Sequence, residues 1–237
     1  MASRERLGFT AAQLQAAERP LIEAGVPLMA RAAAGLAAEI RRRLAERGAG
    51  GGRILLLVGS GDNGADALFA GAELAEDGFE VTAVPTGSRM HEAGTAAALA
   101  AGVRILAPEE ADARLEELVR GAEAIVDGIL GIGAAASPAL RGRARELVAR
   151  IRPLLERESR PLVIAVDLPS GVGADDGSVP DPTAVLPADV TVTFGAEKAG
   201  LLLSPGAEVA GEVVLVDIGL GPALAGVEPA MRQVSDS

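Results

Sequence analysis

The sequence predicts an α/β protein, a Rossmann-like three-layer αβα sandwich built on a mainly parallel sheet, with helices preceding it. Short apolar runs rich in β-branched residues recur along the chain, and stretches of helical composition separate them. The first of these runs enters Gly59-Ser60-Gly61-Asp62-Asn63-Gly64, a glycine-spaced turn of the kind that joins a strand to a helix in dinucleotide-binding folds.

Each element follows from local pattern. Across residues 10–47, Leu14, Leu21, Ile22, Leu28, Met29, Leu36, Ile40 and Leu44 recur at helical spacing, interrupted at Pro20 and near Gly25 and Pro27. Two or three helices are expected there. Their alanine-rich faces allow close approach, which suits packing onto the sheet and equally a homodimer interface. Glycines at 48 and 50–52 then act as a flexible stop. The runs at 54–58, 81–84, 103–106, 124–127, 162–166, 190–194 and 213–217 predict strands, and 65–77, 91–101, 109–120 and 140–158 predict helices. Because the strand runs are apolar on both faces, a mainly parallel sheet covered by helices on both sides is predicted. Residues 168–188 carry too much Pro, Gly and Asp for a helix and are expected to form an ordered loop or lid. Residues 1–220 read as one domain and 221–237 as a mobile linker or tail.

Composition removes several function classes. With 237 residues, 49% of them apolar, and no unbroken apolar run near the roughly 20 needed to cross a bilayer, a soluble cytoplasmic protein without membrane contact is expected. Cysteine is absent and His91 is the only histidine, so disulfides, thiol chemistry and multi-histidine metal sites are excluded. His91 precedes a predicted helix and suits a cap. A net charge of −11, from 22 basic and 33 acidic residues, disfavours nucleic acid, as do the absence of Trp and Tyr and the presence of only 4 Phe.

Chemistry is expected where the strands end. Beyond the first glycine turn, the run ending at Asp127 enters Gly128-Ile129-Leu130-Gly131-Ile132-Gly133, and the run ending at Asp167 enters Leu168-Pro169-Ser170-Gly171. A pocket lined by Gly61, Asn63, Asp127, Gly131, Asp167 and Ser170 is therefore expected. Singly, Asp62 and Asp66 fit helix capping as well as ligand binding. The second strand ends in Val84-Pro85-Thr86-Gly87, without the acid that holds a ribose diol in NAD dehydrogenases. Lys198, the one lysine in the chain, suits a phosphate contact, support beside the pocket, or a solvated loop. Asn63, Asp127 and Ser170 offer hard oxygens with a single formal charge, which suits a monovalent cation better than a divalent one.

These motifs resemble those of the YjeF N-terminal domain family of NAD(P)H-hydrate epimerases. The similarity rests on GSGDNGADA at 59–67, VDGILGIG at 126–133, VDLPSG at 166–171, TFGAEKAGL at 193–201 and VDIGL at 216–220, with helices before them that are also similar. The resemblance implies interconversion of the R and S epimers of hydrated NADH or NADPH in nicotinamide nucleotide repair. Asp62, Asn63, Gly64, Ala65 and Asp66, with Gly131, Ile132, Gly133, Ala134, Ala135, Ala136 and Ser137, would hold the dinucleotide. Asn63, Asp127 and Ser170 would bind a potassium ion, and Asp167 would contact the hydrated ring as the acid/base group. The implied partner is an ADP- or ATP-dependent NAD(P)H-hydrate dehydratase, fused or separate. Asp62, Ala65 and Ala67 depart from an asparagine and two glycines of the family pattern, and Ile132 lacks a hydroxyl found there. Two other readings share the fold: a non-catalytic nucleotide-binding or interaction module, and a Rossmann-type enzyme of sugar nucleotides or phosphosugars.

Overall fold

A computed structural model describes residues 4–48, 52–133, 137–157 and 159–235. The chain opens with β1 (Arg4–Phe9), α1 (Ala11–Glu23) and α2 (Leu28–Glu46), then β2 (Arg53–Val58), α3 (Asp62–Glu76), β3 (Glu80–Pro85) and α4 (Glu92–Ala100). It continues through β4 (Arg104–Ile105), α5 (Pro108–Gly121), β5 (Ala124–Gly128), α6 (Gly142–Ile151), β6 (Leu162–Val166), β7 (Val190–Phe194) and β8 (Glu197–Lys198). Last come α7 (Gly206–Val209), β9 (Glu212–Val216), α8 (Gly221–Leu224) and β10 (Met231–Ser235).

Seven strands form one wholly parallel sheet in the order β4-β3-β2-β5-β6-β7-β9. Side chains alternate across a pleated strand, so β2 serves two cores at once. Ile54, Leu56 and Val58 pack with Leu36, Ile40 and Leu44 of α2 and Leu68 and Leu74 of α3. Leu55 and Leu57 pack with Leu115 and Val119 of α5 and Leu147, Val148 and Ile151 of α6. This is the predicted three-layer architecture, and it explains why residues 54–58 and 162–166 carry no polar face. Strand order reverses between β2 and β5, so a crevice opens at their carboxyl ends.

Three boundaries differ from the sequence reading. Pro20 does not break α1; the helix runs on to Glu23, and the Pro20 carbonyl accepts from Ala24 at 3.1 Å. A capping box between Thr10 and Gln13 fixes its start. The helix expected from Ala65 begins at Asp62, with Gly61 as its N-cap, because no residue in that turn requires a non-helical backbone. The helix expected to 158 ends at Ile151 and passes into a 3-10 turn, Arg152–Leu155, at Pro153. In residues 168–188 the structure holds only a 3-10 turn at Pro182–Ala184, and Leu168, Val172 and Val185 bury that segment against Leu201 and Ala210.

A second sheet, β10-β1-β8, was not legible in sequence. The stretch 221–237, read as a linker, instead carries α8 and β10 within its described part. Strand β10 pairs antiparallel with β1, placing Leu7 opposite Arg232 and Gly8 opposite Met231. Strand β1 also runs parallel to β8, and Arg6 grips Glu197 with Nη2 to Oε2 at 2.6 Å. A deletion of residues 225–237 strips β1 of five paired residues. It is expected to lower the melting temperature by about 3–10 °C, equivalent to roughly 1–3 kcal/mol. Thermal unfolding followed by circular dichroism checks this; an unchanged midpoint would return the segment to the status of a tail.

Candidate active site

The crevice is built by close backbone approach. A Cβ on Gly64 would lie 2.1 Å from the Gly59 carbonyl oxygen, and one on Gly131 would lie 2.1 Å from Asn63 Oδ1. Glycine at both positions lets the first turn of α3 and the loop leaving β5 meet at Asn63. Ala65 and Ala67 are fully buried in the helix, where alanine is well accommodated, so these departures from the family pattern cost the backbone nothing.

Two layers of polar groups follow. The inner layer contains Asn63, Asp127 and Ser170. Asp127 is 1% exposed; its carboxylate accepts from the Ser170 amide at 2.9 Å and the Ile129 amide at 3.4 Å, and no cationic side chain among the described residues reaches it. Burial pushes its pKa up, opposed by its hydrogen bonds from Ser170 and Ile129. Ser170 Oγ accepts from the Leu130 amide at 2.9 Å, and Asn63 Nδ2 donates to the Val166 carbonyl at 2.5 Å. Asn63 Oδ1 accepts no hydrogen bond among the described residues.

The outer layer lines a cavity of about 370 Å³. Asp62, Asn63 and Asp66 enter it from α3, Asp167 from the end of β6, and Lys198 from β8. Ile132 and Phe194 give apolar walls, and Glu18 and Ile22 of α1 with Leu28 and Met29 of α2 close the outer side. Of the six residues expected to line the pocket, Asn63 and Asp167 do so. Asp127 and Ser170 lie beneath it, and Gly61 and Gly131 shape the crevice without facing this cavity. Gly133 is exposed on the same loop, Ser137 lines a neighbouring groove, and Ala134, Ala135 and Ala136 fall outside the described residues.

Asp167 is the sole described non-glycine residue with positive φ, at 69°. Its Oδ1 accepts from the Lys198 ammonium, from the Thr193 hydroxyl at 3.3 Å and from the Phe194 amide at 3.3 Å. Oδ2 has no hydrogen-bond partner among the described residues and is not sealed off, so it is the atom left for a ligand. Lys198 also donates to Thr193 Oγ1 at 3.1 Å and the Phe194 carbonyl at 3.2 Å. At 2% exposure it is a buried counter-ion to Asp167, and the solvated-loop reading is corrected.

Asp62 and Asp66 do not cap α3: the N-cap is Gly61, with no side-chain bond to the helix start. Asp62 is exposed at the rim. Asp66 is 6% exposed, and its Oδ1 is sealed from solvent with no hydrogen-bond partner among the described residues. Burial, then the carboxylates of Asp167 and Asp62, push its pKa up to about 8, against the opposing pull of Lys198. Glu18 is also pushed up, chiefly by burial. His91 caps α4, with Nδ1 accepting from the Gly94 amide at 3.1 Å.

Residues 25–200 match the family model described as YjeF-related protein N-terminus. The chain belongs to that family. It is 55% identical over 226 residues to the NAD(P)H-hydrate epimerase of Clavibacter michiganensis, covering 95% of each chain. It is 46% identical over 239 residues to the NAD(P)H-hydrate epimerase of Microbacterium testaceum, covering 99% of this chain and 87% of the relative. A bifunctional NAD(P)H-hydrate repair enzyme of Mycobacterium tuberculosis is 37% identical over 213 residues, which are 87% of this chain and 40% of that enzyme. The crystal structure of the yeast protein ynu0 superimposes with a TM-score of 0.67 at 20% identity, covering 81% of this chain and 82% of the yeast chain. That likeness shows the fold alone.

Sequence reasoning missed Glu18, the wall from α1 and α2, and the partnership of Lys198 with Asp167. The repeated carboxylate at positions 62 and 66, one helical turn apart, was the available signal that α3 turns acid toward a cavity.

Proposed function

We propose that this chain is an NAD(P)H-hydrate epimerase, interconverting the R and S forms at C6 of the hydrated dihydronicotinamide ring. The observation that carries the reading is the cavity itself. It presents Asp167 with a free Oδ2, and among the described residues it is lined by the acids Asp62, Asp66 and Glu18 against one cation, Lys198. The chemistry needs protons and a stabilised cation, and no electron transfer. A proton passes to the C6 hydroxyl, the carbon–oxygen bond breaks, and water leaves a ring iminium. Water then adds to the opposite face, and its proton returns to a carboxylate. An acidic cavity with apolar walls lowers the energy of that cation relative to the neutral hydrate. Asp167, fixed by three donors to Oδ1, is placed to take the proton of the returning water through Oδ2.

Potassium is part of the proposal. The donor set fits it: Asp127 is a buried carboxyl group with no cationic side chain beside it among the described residues, and the Asn63 amide and Ser170 hydroxyl add uncharged oxygens. A potassium ion bound by these residues would balance Asp127 and fix the loop over Asn63. With Asp127 as the single carboxylate of the three, the set suits a monovalent cation better than a divalent one. We further propose that the S epimer passes to an ADP- or ATP-dependent dehydratase, and that the reaction takes place in the cytoplasm. Residues 62–66 and 131–137 are proposed to hold the dinucleotide.

The test is the rate of interconversion above the buffer rate, since the hydrates also epimerise without enzyme. Epimers are separated chromatographically in potassium, in sodium and in cation-free buffer. A rate above background, highest in potassium and lowered by Asp127→Asn, is expected. Binding of the hydrate with no excess rate would favour the non-catalytic module instead, and equal rates in all three buffers would remove the cation site.

A further inference from the structure

The epimerase reading gives Asp66 a share in holding the dinucleotide and no part in the proton transfers. Asp66 sits in the second turn of α3, 6% exposed, lining the same cavity as Asp167 and Lys198; neither carboxyl oxygen has a partner among the described residues, and Oδ1 is sealed while Oδ2 is left open to the cavity. A buried polar atom without a partner is costly, and such atoms are rare unless something else satisfies them. The charged and titratable groups that act on it come from every neighbouring element: Asp62 on its own helix, Asp167 after β6, Lys198 on β8 and Glu18 on α1. Lys198 is already committed to Asp167, Thr193 and the Phe194 carbonyl.

We propose, on the basis of the epimerase reading, that Asp66 is the general acid of the reaction and gives its proton to the C6 hydroxyl as that group leaves. A carboxylic acid held neutral inside a cavity can donate a hydrogen bond to an alcohol, which an ionised carboxylate cannot. The two carboxyls therefore divide the work. Asp66 donates as the carbon–oxygen bond breaks, becoming a carboxylate beside the new iminium. Asp167, with its charge already matched by Lys198, accepts the proton of the incoming water. Transfer of that proton back to Asp66 through cavity water restores the starting state, so atoms and charge balance over one turnover.

The sign of the pH dependence follows. Asp66 titrates at about 8, so the acid form is lost as pH rises through that value. The excess rate should fall along this alkaline limb. Asp66→Asn is expected to lower the excess rate about 100-fold or more, to abolish the limb, and to leave hydrate affinity within about tenfold. The same substitution should not lower the melting temperature at pH 9, because the wild-type side chain is then a buried unpaired carboxylate. Carboxyl carbon NMR of the wild-type protein should show one aspartate titrating near pH 8, absent from Asp66→Asn. A full rate in Asp66→Asn, a loss of affinity alone with the limb intact, or a titration at the ordinary aspartate value would each overturn the proposal. A wild-type chain with no excess rate would overturn it together with the epimerase reading, whereas an active wild type with active Asp66→Asn removes the acid role alone.

Discussion

Asp167→Asn is expected to lower the excess epimerisation rate by about 100-fold to 10,000-fold, the usual span for loss of a positioned proton acceptor. Affinity for the hydrate should stay within about tenfold, or roughly 1.4 kcal/mol. The substitution suits the backbone, and because it leaves Lys198 buried without its counter-ion, its own loss of stability, about 3–5 kcal/mol, is measured alongside the rate. At φ 69°, Asp167 occupies the left-handed region, which asparagine tolerates better than most residues and which alanine would enter at a cost of roughly 1–2 kcal/mol. The asparagine carbonyl can still accept from Lys198, Thr193 and the Phe194 amide, so the loop after β6 keeps its geometry. What is lost is an oxygen able to take a full proton. The rate must be read above buffer, after circular dichroism has confirmed the fold. A full-rate variant would show that Asp167 only positions the ring, and the accepting group would have to be sought elsewhere in the cavity.

Lys198→Met is expected to produce the largest loss of stability of any single surface-preserving change near the site. The ion pair with Asp167 is buried at both ends, with side chains 3% and 7% exposed. Removing one partner of such a pair costs about 3–5 kcal/mol, because the other charge stays buried and uncompensated. That corresponds to a midpoint lower by on the order of 10 °C. The double variant Asp167→Asn with Lys198→Met should recover most of it, since neither charge then remains. Urea unfolding of the wild type, both single variants and the double variant measures the coupling. Additive losses would mean that Lys198 contributes by packing alone. The wild-type contribution should also change little with added salt, unlike the exposed pairs on α2 and α5, because the Debye screening that weakens surface charges does not reach a sealed pair.

Several parts of this protein were legible residue by residue. The runs at 54–58, 124–127, 162–166 and 190–194 became β2, β5, β6 and β7 because strands buried on both faces are rich in apolar and β-branched residues, the buried Thr191 and Thr193 of β7 included. Asp167 was legible for a related reason: a carboxylate placed where such a strand ends, with a proline and a glycine close behind, has no role in the sheet. Asp127 and Ser170 were correctly placed together, yet the depth of each was not. Period and spacing report which face a residue takes, not whether another segment covers it.

Cover is what the tertiary structure supplied. The cavity wall from α1 and α2, the burial of Lys198, and the isolation of Asp66 all depend on segments far apart in sequence meeting at one edge. Strands β1 and β10 show the same limit, since each is short and polar on its own and is held by the other across the length of the chain. Local sequence thus determined the parallel sheet, the glycine turns and the identity of the acidic strand ends, because backbone sterics and apolar periodicity act over a few residues. Only the folded chain decided which of those acids lost water and which gained a counter-ion, because desolvation and pairing are set by neighbours that sequence spacing does not encode.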